Sequence, residues 1–455
     1  MSEKTPNLFW RNVRYGAPAL ALGMPTLPLL IYLPAIYAEQ VGLGLTATGI
    51  AIFLARLMDI ITDPIIGILS DRTDDKTQKK WGRRKPLIFF GGILGILGTI
   101  FLLNPATGAS SVYLTVWAAI LYLGWTMISI PYLAWGAELS DKYNERTNIT
   151  SVRESFMLAG IIVAGAIPAI TSTYGYDEQK SMALIGWIMI GFGLVLFSIL
   201  LIRVDEPNIP IIHSKERAVF AIRDVFKNQS FRLLLTGWTI NGIANGIPAA
   251  LFILYLKYAL QADELERGLI TFAYFLAAII GIPIWLKLSK HFDKHKVWIM
   301  AMGLACIAFV FVPWLEKGDI LLFLIISIIT GITLGADMVL PPSMQADVAE
   351  FELIRSGHDR TGLLFAFWSM FTKLALAISI LIAFPLLEMF GFSLTDPENL
   401  RNTKALSVIY SMIPVVMKVI SILIVWHHPL TSSKQMIIKR QITRLGHRKI
   451  RTADK

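Results

Sequence analysis

The stretch that decides the fold reads Thr46-Ala-Thr-Gly-Ile-Ala-Ile-Phe-Leu-Ala-Arg56-Leu-Met-Asp59-Ile-Ile-Thr-Asp63-Pro64-Ile-Ile-Gly67-Ile-Leu-Ser-Asp71. Steps of 3, 4, 4 and 4 residues set Arg56, Asp59, Asp63, Gly67 and Asp71 on one stripe of a helix. The remainder is apolar and long enough to cross a hydrocarbon core of about 30 Å. Asp59 falls near mid-membrane, with Asp63 one turn further along. At such depth Arg56, Asp59 and Asp63 together cost about 7–10 kcal/mol on insertion scales. Eleven Ile, Leu and Phe residues return roughly 3–7 kcal/mol. With so narrow a balance, the stripe must face protein or a wet cavity. Pro64 cannot donate to the carbonyl of Ile60, which leaves a free acceptor beside two carboxylates. Two acids, a loose carbonyl and a nearby guanidinium make a candidate proton or cation site. A structural Arg56–Asp59 ion pair that only fixes helix packing is the competing reading.

The rest of the chain repeats this apolar design. Of 455 residues 55% are hydrophobic and 16% charged, with mean hydropathy +0.60, whereas soluble domains run near a quarter charged. Apolar blocks cover 15–37, 46–70, 87–104, 112–138, 150–173, 182–203, 231–259, 266–290, 296–315, 319–345, 362–388 and 404–427. They predict an all-α membrane protein of twelve transmembrane helices. Thirty-two Lys and Arg fall in the loops of one side and six in those of the other. That asymmetry places both termini and the central loop in the cytoplasm. The net charge of +10 is therefore mostly topological and does not point to nucleic acid.

The longest polar interruption divides the chain into a six-helix bundle over 1–203, a cytoplasmic loop over 204–230, a second bundle over 231–427 and a basic tail over 428–455. A basic loop after span two and another after span eight suggest an internal repeat. Pro18, Pro25, Pro28 and Pro34 predict a kinked, partly opened first span. Met1 to Arg14 is polar and basic and leads straight into a full span, so no cleavable signal peptide is expected. The single cysteine, Cys306, rules out a disulfide scaffold. His-Glu-x-x-His, Walker A and Gly-x-Ser-x-Gly patterns are absent from the sequence, so an enzyme is not expected. His427-His428 reads as an interface pair at the end of span twelve.

Three more charges lie inside spans. Lys373, in the middle of span eleven, is the natural partner for the span-two acids, since a buried ammonium and a buried carboxylate each need the other. Lys418 in span twelve is expected to snorkel toward the cytoplasm. Asp337 in span ten is open to gating, solute binding or simple pairing. Tyr122, Trp125, Ser129 and Tyr132 share a face of span four, with Thr126 alongside. Trp238, Asn241 and Asn245 recur as i, i+3, i+7 in span seven, and Trp368 and Thr372 precede Lys373. Flat aromatic faces with amide and hydroxyl groups suit a sugar ring, which has apolar faces and a polar rim. Ordinary interhelical packing is the alternative for any one of these residues.

The pattern Asp59-x3-Asp63-Pro64-x2-Gly67-x3-Asp71-Arg72, followed by Trp81-Gly82-Arg83-Arg84-Lys85-Pro86, resembles the glycoside–pentoside–hexuronide:cation symporters. These belong to the major facilitator superfamily, and the melibiose permeases are their best-known members. Tyr15-Gly16, Ile130-Pro131, Arg153, Ala346-Asp347 and Lys373 extend the resemblance over nearly the whole chain. It implies a major facilitator fold of two six-helix bundles that rock about a central site, working as a monomer. Asp59 and Asp63 would bind the coupling cation, as metal ligands if that ion is Na⁺, with Lys373 nearby and Thr126 as an extra ligand. Arg153 would touch solute. Asp71, Arg72, Arg83 and Arg84 would form a cytoplasmic charge latch that stabilises the outward-open state.

Departures from the family pattern shape the expectation. The Lys-Asp pair of melibiose permease helix one falls on Leu22-Gly23, the helix-four acid on Ser129 and a nearby aromatic on Leu133. A galactoside is thus disfavoured, and losing a carboxylate while keeping Lys373 favours H⁺ over Na⁺. Buried acids with raised pKa values suit proton exchange. The expected protein is an inner-membrane symporter of a sugar, glycoside or sugar acid, with no cofactor beyond the coupling ion. Eukaryotic relatives in the broad family carry lysophospholipids, so an amphiphile is an alternative, as is a non-transporting sensor or scaffold.

Overall fold

The computed structural model describes residues 8–26, 28–71, 82–105, 108–140, 143–206, 223–357, 360–393, 400–431, 433–438 and 440–441. The expected central loop 204–230 and basic tail 428–455 thus lie largely outside the described residues. Among the described residues, twelve helices are long and apolar enough to cross a membrane. They are α1 (Leu8–Gln40), α2 (Leu45–Asp71), α3 (Lys85–Leu103), α4 (Ser111–Glu138), α5 (Tyr143–Ser172) and α6 (Glu178–Arg203). The second six are α7 (Gln229–Ala259), α8 (Glu264–Leu288), α9 (Lys294–Val310), α10 (Ile320–Ser356), α11 (Thr361–Met389) and α12 (Leu400–Trp426). An even number of crossings leaves the described start and end of the chain on one side, here called the termini face.

Local chemistry sets the helix ends. Asp177 accepts from the Lys180 amide at 2.8 Å at the start of α6, and Ser110 caps α4 through the Tyr113 amide at 3.2 Å. Asp263 and Glu266 form a reciprocal capping box at the start of α8, at 2.7 and 2.8 Å. The first span is broken, as its prolines predict. It contains short α segments and two π turns, Pro28–Tyr32 and Ile36–Gln40, because proline withholds the amide that a regular ladder needs. One boundary differs from the hydropathy reading. α10 runs past Pro341 and Pro342 to Ser356, eleven residues beyond the expected end at 345. Glu352 on that extension is fully buried and bound by Asn228 at 2.8 Å, Arg355 at 2.8 Å and Arg360 at 3.3 Å.

Across the two halves α2 lies on α11, α5 on α8, and α1 on α7. Toward the far face one apolar cluster spans both halves, taking Tyr37, Leu102 and Ile185 from the first with Tyr255, Phe384 and Tyr410 from the second. Toward the termini face the core divides. Tyr15, Tyr132, Trp135 and Leu200 cluster in the first half, and Phe231, Trp298, Trp368 and Val425 in the second. The halves therefore meet at the far face and part toward the termini face.

Candidate cation site and solute cavity

Where α2, α4 and α11 converge, four sequence-predicted side chains meet. Lys373 Nζ lies 3.0 Å from Asp59 Oδ2 and 2.6 Å from Asp63 Oδ2. The Thr126 hydroxyl lies 2.8 Å from Asp59 Oδ1 and 2.9 Å from Asp63 Oδ1. Helical spacing explains the cluster: residues four apart on α2 present both carboxylates to the same neighbour. One ammonium on two carboxylates leaves a formal charge of −1, which one H⁺ or Na⁺ would cancel. Asp59 is only 5% exposed, so that residual charge sits where water screens it poorly. Arg56 does not pair with Asp59. Its guanidinium lies 4.8 Å above the Tyr122 ring, a cation–π contact that leaves both acids to Lys373.

A second polar group lies in the second half. All six of its helices, with Leu30 and Ile31 of α1, enclose a cavity of about 270 Å³. Asn245, Asp337, Thr372 and Lys418 line it together with Trp238, Tyr274, Phe309 and Tyr410. Asp337 accepts from Asn245 Nδ2 at 2.7 Å and from Trp298 Nε1 at 2.6 Å. Lys418 donates to Asn241 Oδ1 at 2.8 Å. Lys418 does not snorkel. It is 7% exposed and turned into the bundle, where the amide carbonyl of Asn241 on α7 accepts from it. Trp238 stacks on Trp368 with centroids 4.7 Å apart and donates to Thr372 Oγ1 at 2.6 Å. Thr372 borders the cavity while its neighbour Lys373 holds the two acids, so α11 touches both sites.

A family model described as MFS/sugar transport protein matches residues 14–432. The chain belongs to that family. It is thus a multi-pass membrane transporter and not an enzyme. The putative glycoside/cation symporter YagG of Escherichia coli (strain K12) is 22% identical, with 95% of this chain and 94% of that protein aligned. The sodium-dependent lysophosphatidylcholine symporter 1 of Homo sapiens is 23% identical, with 88% of this chain and 80% of that protein aligned. The crystal structure of a D-xylose–proton symporter superposes with TM-score 0.67 at 13% identity, covering 93% of this chain and 98% of the other. That likeness is one of fold, the major facilitator arrangement of two six-helix bundles.

The first half of this MFS transporter holds the remaining predicted solute residues apart from the cavity. Tyr122 is buried beneath Arg56. Ser129 is half-buried on α4, and Trp125 lines a separate groove among α1, α3, α4 and α6. Arg153 pairs with Glu154 beside Tyr15. The structure also accounts for Gly23, which stands where the melibiose permeases carry an acid. A Cβ there would meet the Met157 carbonyl oxygen at 2.1 Å, and one on Gly160 would meet that of Leu20 at 2.1 Å. Helix α1 therefore lies directly on α5 and leaves no space for a side chain or a sugar between them.

At the termini face Arg83 and Arg84 both reach Glu138 Oε1, at 2.7 and 2.6 Å, while their amides bind Glu206. These contacts stay within the first half. Arg72 and the Asp71 side chain lie outside the described residues. In the second half Lys294 meets Asp347 at 2.5 Å, and Arg360 meets Asp224 at 2.8 Å. Hydrogen bonds from Arg360 and Lys227 hold the Asp224 carboxyl down at about 2.

Sequence reasoning missed the far-face contacts that do join the halves. Arg267 Nε on α8 meets Glu178 Oε1 on α6 at 2.6 Å, and Tyr32 donates to Thr271 at 3.3 Å. Lys257 pairs with Glu39, and Thr46 with Glu388. Opposite charges at the first turns of α6 and α8 were the available signal. Trp298, which binds Asp337, gave none beyond an aromatic inside a span.

Proposed function

We propose that the protein is a cation-coupled symporter that moves a small polar organic solute by alternating access. A sugar, glycoside or sugar acid is the first class to consider. The observation that carries this reading is Lys373, which bridges two carboxylates of the other half from the helix that also borders the solute cavity. A cation arriving at Asp59 and Asp63 competes with Lys373, loosens α2 from α11 and is felt at Thr372. Contacts at the far face and divided cores at the termini face fit a conformation open toward the termini, which we read as the cytoplasmic side of an inner membrane.

H⁺ is the favoured ion. The Thr126 hydroxyl owns one hydrogen but touches two carboxylate oxygens. A protonated carboxyl would donate to Thr126 and leave that hydrogen for the other acid, satisfying every contact. The name of the glycoside/cation relative supports the sugar class. A second reading, transport of an amphiphile such as a lysophospholipid, draws on the apolar groove of about 180 Å³ beside Trp125. Its outer residues Phe89, Ile93 and Leu194 are exposed on the membrane-facing surface.

Uptake into energised vesicles tests the proposal. Concentrative uptake driven by a pH gradient, and lost in Asp59→Asn and Asp63→Asn, is expected. Equal uptake in wild type and both variants would remove these acids from coupling, and uptake driven by Na⁺ at uniform pH would replace H⁺ as the ion.

A further inference from the structure

The cavity of the second half presents two opposite charges that do not meet. Asp337 and Lys418 are 6% and 7% exposed and border the same space of about 270 Å³. Neither is neutralised by contact with an ion. Asp337 has an amide and an indole, at 2.7 and 2.6 Å, and Lys418 has one amide carbonyl at 2.8 Å. Among the described residues no salt bridge within 4.0 Å joins them. Asn241, fully buried, has an Nδ2 with no hydrogen-bond partner beside Lys418. Charges taken out of water cost several kcal/mol each unless an opposite charge meets them. This fold keeps both and holds an open cavity between six helices instead of closing them onto one another.

We propose that this cavity recognises a small zwitterion, whose anionic group meets Lys418 and whose ammonium meets Asp337. The proposal rests on the solute-symporter reading and narrows its solute to polar molecules carrying both charges, such as an amino-sugar acid. A neutral polyol would leave both protein charges uncompensated. A singly charged solute would satisfy one and bring a like charge near the other. The rings of Tyr274, Phe309, Tyr410 and Trp238 suit an ammonium as well, since their faces attract cations. Thr372 and Asn245 supply the hydroxyl and amide for any further polar groups.

Equilibrium binding to the purified full-length protein tests this, because binding can be read without transport. The probes are methyl glucoside (neutral), glucuronate (anionic), glucosamine (cationic) and the zwitterions muramic acid and 4-aminobutyrate. Thermal stabilisation and calorimetry should show at least tenfold tighter binding of one zwitterion than of any other probe. Lys418→Met should shift preference toward glucosamine, and Asp337→Asn toward glucuronate. Such opposite shifts cannot arise from misfolding. Tightest binding of methyl glucoside, no binding by any zwitterion, or unchanged zwitterion binding in the Asp337→Asn/Lys418→Met double variant would each overturn the inference. Zwitterion binding without ion-driven uptake of the same compound would uphold it and overturn the symporter reading. Tight glucoside binding with ion-driven glucoside uptake would do the reverse.

Discussion

The Asp59–Asp63 pair and Asp337 are acids inside this bundle, and they are satisfied in opposite ways. Asp59 and Asp63 belong to the first half and are met by Lys373 of the second, at 3.0 and 2.6 Å. Asp337 is held within its own half by neutral donors, and the nearby Lys418 binds only an amide. The first arrangement ties charge to the relation between the halves, so a change of charge changes their contact. The second keeps its charges available to whatever enters the cavity. Location separates the two: one set of charges spans the interface between the halves, and the other lies inside one half.

The largest effect should come from breaking the first cluster. Lys373→Met leaves two carboxylates facing each other without an ammonium, and removing one partner of a buried ion pair costs about 3–5 kcal/mol. Concentrative uptake should fall to background and thermal unfolding should occur well below wild type. Lys373→Met/Asp63→Asn should recover much of that stability without recovering uptake. A double variant as unstable as the single would mean that Lys373 and Asp63 do not act as a pair.

The far-face pair comes next. Glu178→Gln leaves Arg267 buried with a weaker partner and should shift the population toward a conformation open at the far face. Spin-label distances across that face should lengthen, and Glu178→Arg/Arg267→Glu should restore them. No change in the distances would locate closure elsewhere, in the apolar cluster around Tyr255 and Tyr410. Thr126→Val removes a hydroxyl that touches both acids. Hydrogen bonds to charged groups are worth about 1.5–3 kcal/mol, so the pH midpoint of uptake should move by roughly one to two units. An unmoved midpoint would assign Thr126 to packing alone.

The smallest effect concerns His428, beyond the end of α12. Burial, and then the neighbouring His295, push its imidazole down from 6.5 to about 4. The unfolded chain thus binds a proton before the folded one does. The contribution of His428 to stability is fully present above pH 6.5 and is lost progressively as pH falls from there to about 4. The His428→Phe variant should show a flatter stability curve between those values, measured by thermal unfolding across pH. Identical curves would assign the acid response to other groups.

Much of this was legible beforehand. Hydropathy located all twelve spans, because a helix in lipid must satisfy its backbone internally and carry an apolar exterior. The stripe on α2 identified Asp59 and Asp63 because charge at that depth is too costly to be incidental. Lys373 followed by electrostatic necessity. Legibility ended where a residue had more than one affordable partner. Lys418 could have reached water or an amide, and only the nearness of Asn241 on α7 decided. Arg56 could have paired with Asp59, yet the Tyr122 face took it.

The sequence by itself determined the helices, the two-half plan and the charges that needed neutralising, since these depend on local composition and helical period. Only the tertiary structure decided which charges meet. It set Lys373 across the interface, laid α1 on α5 at Gly23 and moved the polar cavity into the second half. Helix approach is set by packing between segments far apart in the chain, and no local pattern contains that distance.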